Sequence, residues 1–176
     1  MEWLSSFLYS IAEFIPRLLH VTEDMVCLKM GWGGHIELYP GYHFYWPLIH
    51  EIRSCYSTRQ ELDLPEQILS SVDGETVLVS VSIVYRVTDV VKALIKTQDY
   101  ESTVMEVAQR AVQASITTND INTILSHDSD FDNSLAKVMQ KDLCDYGLVV
   151  DNAFFTSAAI TTPYHISGLY IHIRDK

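Results

Sequence analysis

The stretch that most limits how this chain can fold runs from Leu64 to Val87, where an Asp73-Gly74 pair separates two strand-like runs. An Asp-Gly dipeptide between such runs is a strong hairpin signal, because its glycine supplies the positive φ that primed turns require without steric penalty. Beyond the turn, Val77, Val79, Val81, Ile83, Tyr85 and Val87 fall on one face of a strand, while Leu78, Ser80, Ser82, Val84 and Arg86 fall on the other. That period of two, rich in β-branched residues on one side, predicts a half-buried strand with a core beneath it. With 48% hydrophobic and 20% charged residues, the 176-residue chain can build that core and is globular.

Residues 1–21 carry a different period. Trp3, Leu4, Phe7, Leu8, Ile11, Phe14, Ile15, Leu18 and Leu19 recur at steps of three and four, with Ser5, Ser6, Ser10, Glu13 and Arg17 on most of the opposite face. The pattern predicts an amphipathic helix. Its Met1-Glu2 start and lack of a basic cluster are unlike a signal peptide. Glu2, Glu13, Pro16 and Arg17 interrupt the roughly 20 apolar residues that a spanning helix needs. The bulky aromatic stripe fits a helix lying in the membrane interface; packing on its own domain or on a second copy is the alternative.

Between these two landmarks the chain reads as short strands joined by glycine turns: Met25 to Met30, ended by Gly31-Trp32-Gly33-Gly34; His35 to Tyr39; then Pro40-Gly41 turning towards His43 and Phe44. Pro47 breaks the next run before Leu48 to Ile52, and Tyr56 to Leu62 and Ile68 to Val72 follow. The expectation is an antiparallel meander ending in the 77–87 strand.

The runs "GGHIELYPGYHFYWPLIHEI" and "LDLPEQILSSVDGETVLVSVSIVYRVTD" resemble the stomatin, prohibitin and flotillin group, the SPFH or band 7 superfamily. The residues that carry the resemblance are Pro40, Gly41, His43, Phe44 and Pro47, then Asp73, Gly74, Val79, Val81, Tyr85, Arg86, Val87 and Asp89. No single piece is specific; their order and spacing are. The resemblance spans roughly Val21 to Pro163 and implies an SPFH/band 7 domain over 22–163, preceded by an anchor helix over 1–21 and followed by a short tail over 164–176. It further implies a membrane-associated, self-assembling scaffold on the cytoplasmic face, a homo-oligomer that organises membrane microdomains or regulates a membrane protease or channel. In stomatin-like and flotillin-like proteins the region after the anchor lies near the bilayer, which makes Tyr42, Phe44, Tyr45 and Trp46 a candidate membrane-proximal loop; filling of the core by alternate residues is the bland reading.

The second half suits an α+β domain of strands followed by helices on one face. Asp89 can cap a short helix through Val91, Leu94 and Ile95. Tyr100 to Ile116 repeats Val104, Val107, Ala108, Ala111 and Val112; Thr118 to Leu125 is a short helix; and Asp128 or Asp130 opens another with Phe131, Leu135, Val138, Met139 and Leu143 inward. Gly147 ends it, and Leu148 to Phe155 is the last strand. Family members usually continue into a long coiled coil; "TTPYHISGLYIHIRDK" holds no sustained heptads, so subunits are expected to meet through the domain or the N-terminal helices.

Other chemistries find little footing. A net charge of −11 argues against nucleic acid and makes any lipid attachment hydrophobic. His35, His43 and His50 match no zinc spacing, and the run from Asp128 lacks the glycine and glutamate of a calcium loop, with Asn133 and Met139 in their places. Cys27, Cys55 and Cys144 form no CxxC pair, and no nucleophile elbow, phosphate loop or HExxH is present. No enzyme activity, metal or cofactor is expected. The competing function is a soluble adaptor whose N-terminal stripe docks into a groove of a protein partner.

Overall fold

A computed structural model describes residues 15–126 and 129–161. Within these residues nine strands and four helices make an α+β domain, and every strand pair described is antiparallel. The main sheet is built on β8 (Thr76–Val87), flanked on one side by β6 (Gln60–Asp63) and β7 (Gln67–Ser70) and on the other by β9 (Leu148–Ile160). The expected hairpin is present: β7 turns into β8 through Gly74 at φ +83°, with Ser71 and Glu75 closing the loop by a 2.9 Å backbone bond. The two faces of β8 divide as their alternation predicts. Val77, Val79, Val81, Ile83, Tyr85 and Val87 are all buried, and each fully buried branched side chain contributes about 1.5–3 kcal/mol by leaving water.

Helices α1 (Val90–Lys96), α2 (Tyr100–Thr118), α3 (Ile121–Leu125) and α4 (Ser129–Leu143) follow. Asp89 and Asp99 cap α1 and α2 by accepting from backbone N–H groups of their first turns. The Lys92 N–H bond for Asp89, and for Asp99 first the Ser102 hydroxyl and then the backbone N–H groups, hold both carboxyls below the usual carboxylate range. The stripes Val104, Val107, Ala108, Ala111, Val112 and Ile116 of α2, and Phe131, Leu135, Met139 and Leu143 of α4, are buried in the core beneath β8 and β9. Phe131 stacks on Phe155 of β9 with ring centroids 5.3 Å apart. Val138, expected inward, is exposed: it lies off the 131–135–139–143 stripe, on the flank of α4.

A 3-10 turn, Cys144–Tyr146, ends on Gly147 in the left-handed region before β9. Strand β9 runs past the expected Phe155 to Ile160 because it pairs with β8 from Val87 back to Val77, and the pairing shifts register twice, leaving Asp151 and Thr156 unopposed. The shift at Asp151 places its carboxylate 2.7 Å from the Arg59 guanidinium and 3.3 Å from that of Arg86.

The first half departs from one continuous meander. β2 (Met25–Gly31) pairs with β3 (Gly34–Leu38) and β5 (Glu51–Tyr56) in a three-stranded sheet, while β1 (Arg17–Val21) pairs with β4 (Gly41–Tyr45) in a separate two-stranded ribbon. The cause is the turn after β4: Trp46 C=O accepts from both Ile49 N–H and His50 N–H, so Pro47 to Ile49 form a turn and the strand expected from Leu48 begins only at Glu51. The run from Tyr56 to Leu62 is likewise two strands with a break at 57–59, and the short helix expected from Thr118 begins at Ile121. The larger correction concerns Leu18 and Leu19. Read as part of a helix over 1–21, they lie on β1 instead, facing opposite sides of the ribbon, because residues 17–21 find a full backbone partner in 41–45. Pro16 immediately before disfavours a helix continuing through this point. Trp3, Leu4, Phe7, Leu8, Ile11 and Phe14 lie outside the described residues, as does the tail over 164–176.

Candidate membrane-facing surface

The ribbon has two unlike faces. In the β1–β4 register Leu18 opposes Phe44 and His20 opposes Tyr42, so all four side chains share one face. Leu18 is 57% exposed, Phe44 67% and Tyr42 71%, and the His20 and Tyr42 rings lie 4.7 Å apart. On the opposite face Val21 is buried with Cys27 and Leu38, and Leu19 packs against that small cluster. His43 and Tyr45, half-buried, alternate onto this inner side as well. Tyr45 is thus parted from Tyr42, Phe44 and Trp46, the three residues of the candidate loop that do point outwards. The ribbon is attached to the domain by its inner face, and its outer face is apolar and, among the described residues, uncovered.

The apolar surface continues past β4. Trp46 is 45% exposed, Leu48 61% and Ile49 43%. The His50 ring stacks on Trp46 at 6.4 Å, and its Nδ1 accepts from the Trp46 N–H at 3.2 Å, which fixes the orientation of the turn. Ile15, at the edge of the described chain, is 56% exposed just before β1. Two of these residues, Leu18 and Ile15, belong to the stripe identified in the sequence, although Leu18 is presented by a strand and not by a helix. Leu48 and Ile49 were read only as strand residues, since the turn that exposes them is set by two backbone bonds to Trp46.

Apart from Phe44, the motif residues play structural parts beside this surface, beneath it or away from it. Gly41 takes φ +138° at the start of β4, following the exposed Pro40, and the His43 Nε2 is 2.8 Å from the Tyr39 carbonyl oxygen. Pro47 opens the turn at 47–49. Asp73 does more than form a hairpin: its Oδ2 accepts from the Ile121 N–H at 3.0 Å, tying the β7–β8 turn to the start of α3. Tyr85 donates to Gln60 Oε1, which also accepts from Tyr100, and burial raises both phenols, Tyr100 to about 12. Arg86 pairs with Asp151, and Asp89 caps α1.

Among the described residues no three of His, Cys, Asp and Glu come together in a way that could hold a metal ion. Cys27 and Cys55 are buried in the three-stranded sheet, where burial pushes the Cys55 thiol up to about 11. No helix among the described residues is long and apolar enough to cross a membrane.

The molecule is thus an α+β sheet-and-helix domain with an aromatic ribbon at its N-terminal side. The sequence profile of the SPFH domain / Band 7 family matches residues 20–163, most of the chain, and the protein belongs to that family. Members of this family are typically membrane-associated. The chain is also similar to an uncharacterized protein, MJ0827, of Methanocaldococcus jannaschii, with 24% identity over 159 residues, covering 86% of this chain and 77% of the relative.

Proposed function

We propose that this protein is a membrane-associated scaffold of the stomatin and prohibitin type, held at the cytoplasmic face by its N-terminal region and acting as a homo-oligomer. The observation that carries the reading is the opposed, exposed Leu18–Phe44 pair with Tyr42 and Trp46 beside it, directly following a segment that holds Trp3, Leu4, Phe7, Leu8, Ile11 and Phe14. Aromatic side chains with one apolar and one polar end favour the boundary between membrane and water, which is the chemistry of Tyr42 and Trp46. A single interfacial element binds lipid weakly and reversibly, so lateral self-association supplies avidity without further lipid contacts. Such a lattice would organise a patch of membrane or restrain a partner membrane protein such as a protease or channel. No step of this function calls for catalysis, a metal or a cofactor.

Flotation with phosphatidylcholine liposomes tests the reading, using the full chain, Leu18→Glu/Phe44→Glu and Trp3→Glu/Phe7→Glu. Leu18 and Phe44 are exposed, so their substitution leaves the core intact. The parent floats and each double variant stays with the soluble fraction. A parent that remains soluble and monodisperse in the presence of lipid overturns the membrane reading in favour of an adaptor whose N-terminal stripe meets a protein groove.

A further inference from the structure

The β2–β3 hairpin ends in the two-residue turn Trp32-Gly33, between the paired Gly31 and Gly34. Trp32 is 97% exposed, the most exposed of the large apolar residues described, and Gly34 takes φ +112° to close the turn. Nothing among the described residues covers the ring, and the glycines around it offer no side chain to do so. Burial within the domain does not explain its presence.

The tip is physically joined to the aromatic surface already described. His50 stacks on Trp46 with one side of its ring, and a Cβ on Gly31 would lie 2.9 Å from the His50 Cδ2, so the absence of a side chain at 31 lets the hairpin base close onto that ring. Trp32, Ile36, Ile49 and His50 then line one shallow pocket of about 220 Å3 together with Lys29 and the turn glycines. Ile36, 59% exposed, and Ile49 extend its apolar rim. None of the residues lining the pocket is acidic, on a chain whose net charge is −11. Glu51, next in the chain to His50, lies outside the pocket and pairs with Arg53 at 2.9 Å. An apolar pocket free of carboxylates on so acidic a chain suits the bilayer interface, where a charged group loses hydration and tryptophan is favoured.

We infer that Trp32 is a second interfacial anchor, entering the headgroup region of a phospholipid bilayer beside the Leu18–Phe44 ribbon, with His50 as the wedge that holds the two contacts in one rigid surface. This rests on the membrane reading above and adds to it a fixed orientation. One attachment point lets a domain pivot on its tether; two points on different strands, bridged by a packed ring, hold it at one angle. A constant angle is what neighbouring copies need to meet through the same faces.

Trp3→Phe/Trp46→Phe leaves Trp32 as the sole tryptophan while keeping aromatic rings at the other two positions. Its emission is followed on phosphatidylcholine vesicles with and without bromine on the acyl chains, with flotation of the same samples as the measure of binding. The emission of Trp32 shifts to the blue on vesicles and is strongly quenched by the brominated lipid. Trp32→Ala in the otherwise unaltered chain lowers vesicle partitioning several-fold with an unchanged circular dichroism spectrum. Flotation with an unshifted and unquenched Trp32 overturns this anchor alone and leaves the membrane reading standing. Failure of the unaltered chain to float overturns both.

Discussion

At the scale of single residues, Gly147 carries a heavier constraint than the more conspicuous hairpin glycine. Both sit at positive φ, +76° for Gly147 and +83° for Gly74. Around Gly74 there is open space, whereas a Cβ on Gly147 would lie 2.5 Å from the Asp89 carbonyl oxygen and 2.8 Å from the Asp89 Cβ. The Gly147 carbonyl also accepts from the backbone N–H groups of Thr88 and Asp89 and from the Thr88 hydroxyl, so the end of β8, the cap of α1 and the start of β9 meet on this one residue. Gly74→Ala therefore meets only the left-handed penalty, about 1–2 kcal/mol. Gly147→Ala adds a backbone collision to that strain and destabilises by about 3 kcal/mol or more. Urea midpoints of the two variants, read with unchanged m-values, make the comparison; equal shifts would mean that the Asp89 backbone yields freely and the junction is not a fixed point.

At the scale of elements, the long β9 strand shows how an exposed edge is managed. Among the described residues β8 is its only strand partner, so within them its other edge offers backbone groups that no strand pairs. Gln140 of α4 reaches two of them: its Oε1 accepts from the Val150 N–H at 2.7 Å and its Nε2 donates to the Leu148 carbonyl at 3.3 Å. A side-chain amide thus stands where a neighbouring strand would place a peptide group, and the register shifts at Asp151 and Thr156 bend the rest of the strand away from flat pairing. Gln140→Ala is expected to lower stability by about 1 kcal/mol and to make the lipid-free protein associate as concentration rises. Gln140→Glu keeps the acceptor and adds a charge, so it loses stability without associating. Light scattering over a concentration series separates the two, and identical profiles for Gln140→Ala and the parent would show that the edge is protected by other means.

Elements also mark how far the sequence could be read. β8 was legible because one of its faces is buried along its whole length, so every second residue reports it. The helices α2 and α4 were legible for the same reason at the helical period, with Val138 misplaced because an apolar residue on the flank of a stripe carries no sign of which way it faces. Leu18 and Leu19 were misread because their steps of three and four to Phe14 and Ile15 fit a helix as well as their alternation with His20 and Val21 fits a strand. The pairing that decides between them lies with residues 41–45, far along the chain. Trp32 was absorbed into a glycine turn, although a large ring at a position that cannot be buried was itself the signal.

At the scale of the whole molecule, charge decides which lipid the surface prefers. The chain carries 23 acidic against 12 basic residues, while the proposed contact surface offers Lys29, His20 and His50 and draws its affinity from apolar side chains. Acidic groups such as Glu37 and Glu51 stand within a few residues of that surface and would come close to the headgroups. Over a Debye length of about 8 Å at physiological salt they feel a charged bilayer but not a neutral one. Hydrophobic attachment is therefore opposed, not assisted, by anionic lipid. Replacing part of the phosphatidylcholine with phosphatidylserine is expected to lower flotation at low ionic strength. Added salt should then restore it by shrinking the Debye length to roughly 3 Å near 1 M. A polybasic anchor behaves in the opposite sense, gaining on anionic vesicles and losing with salt. Stronger binding to phosphatidylserine that salt abolishes would place the attachment on the few basic side chains and remove the apolar ribbon from the mechanism.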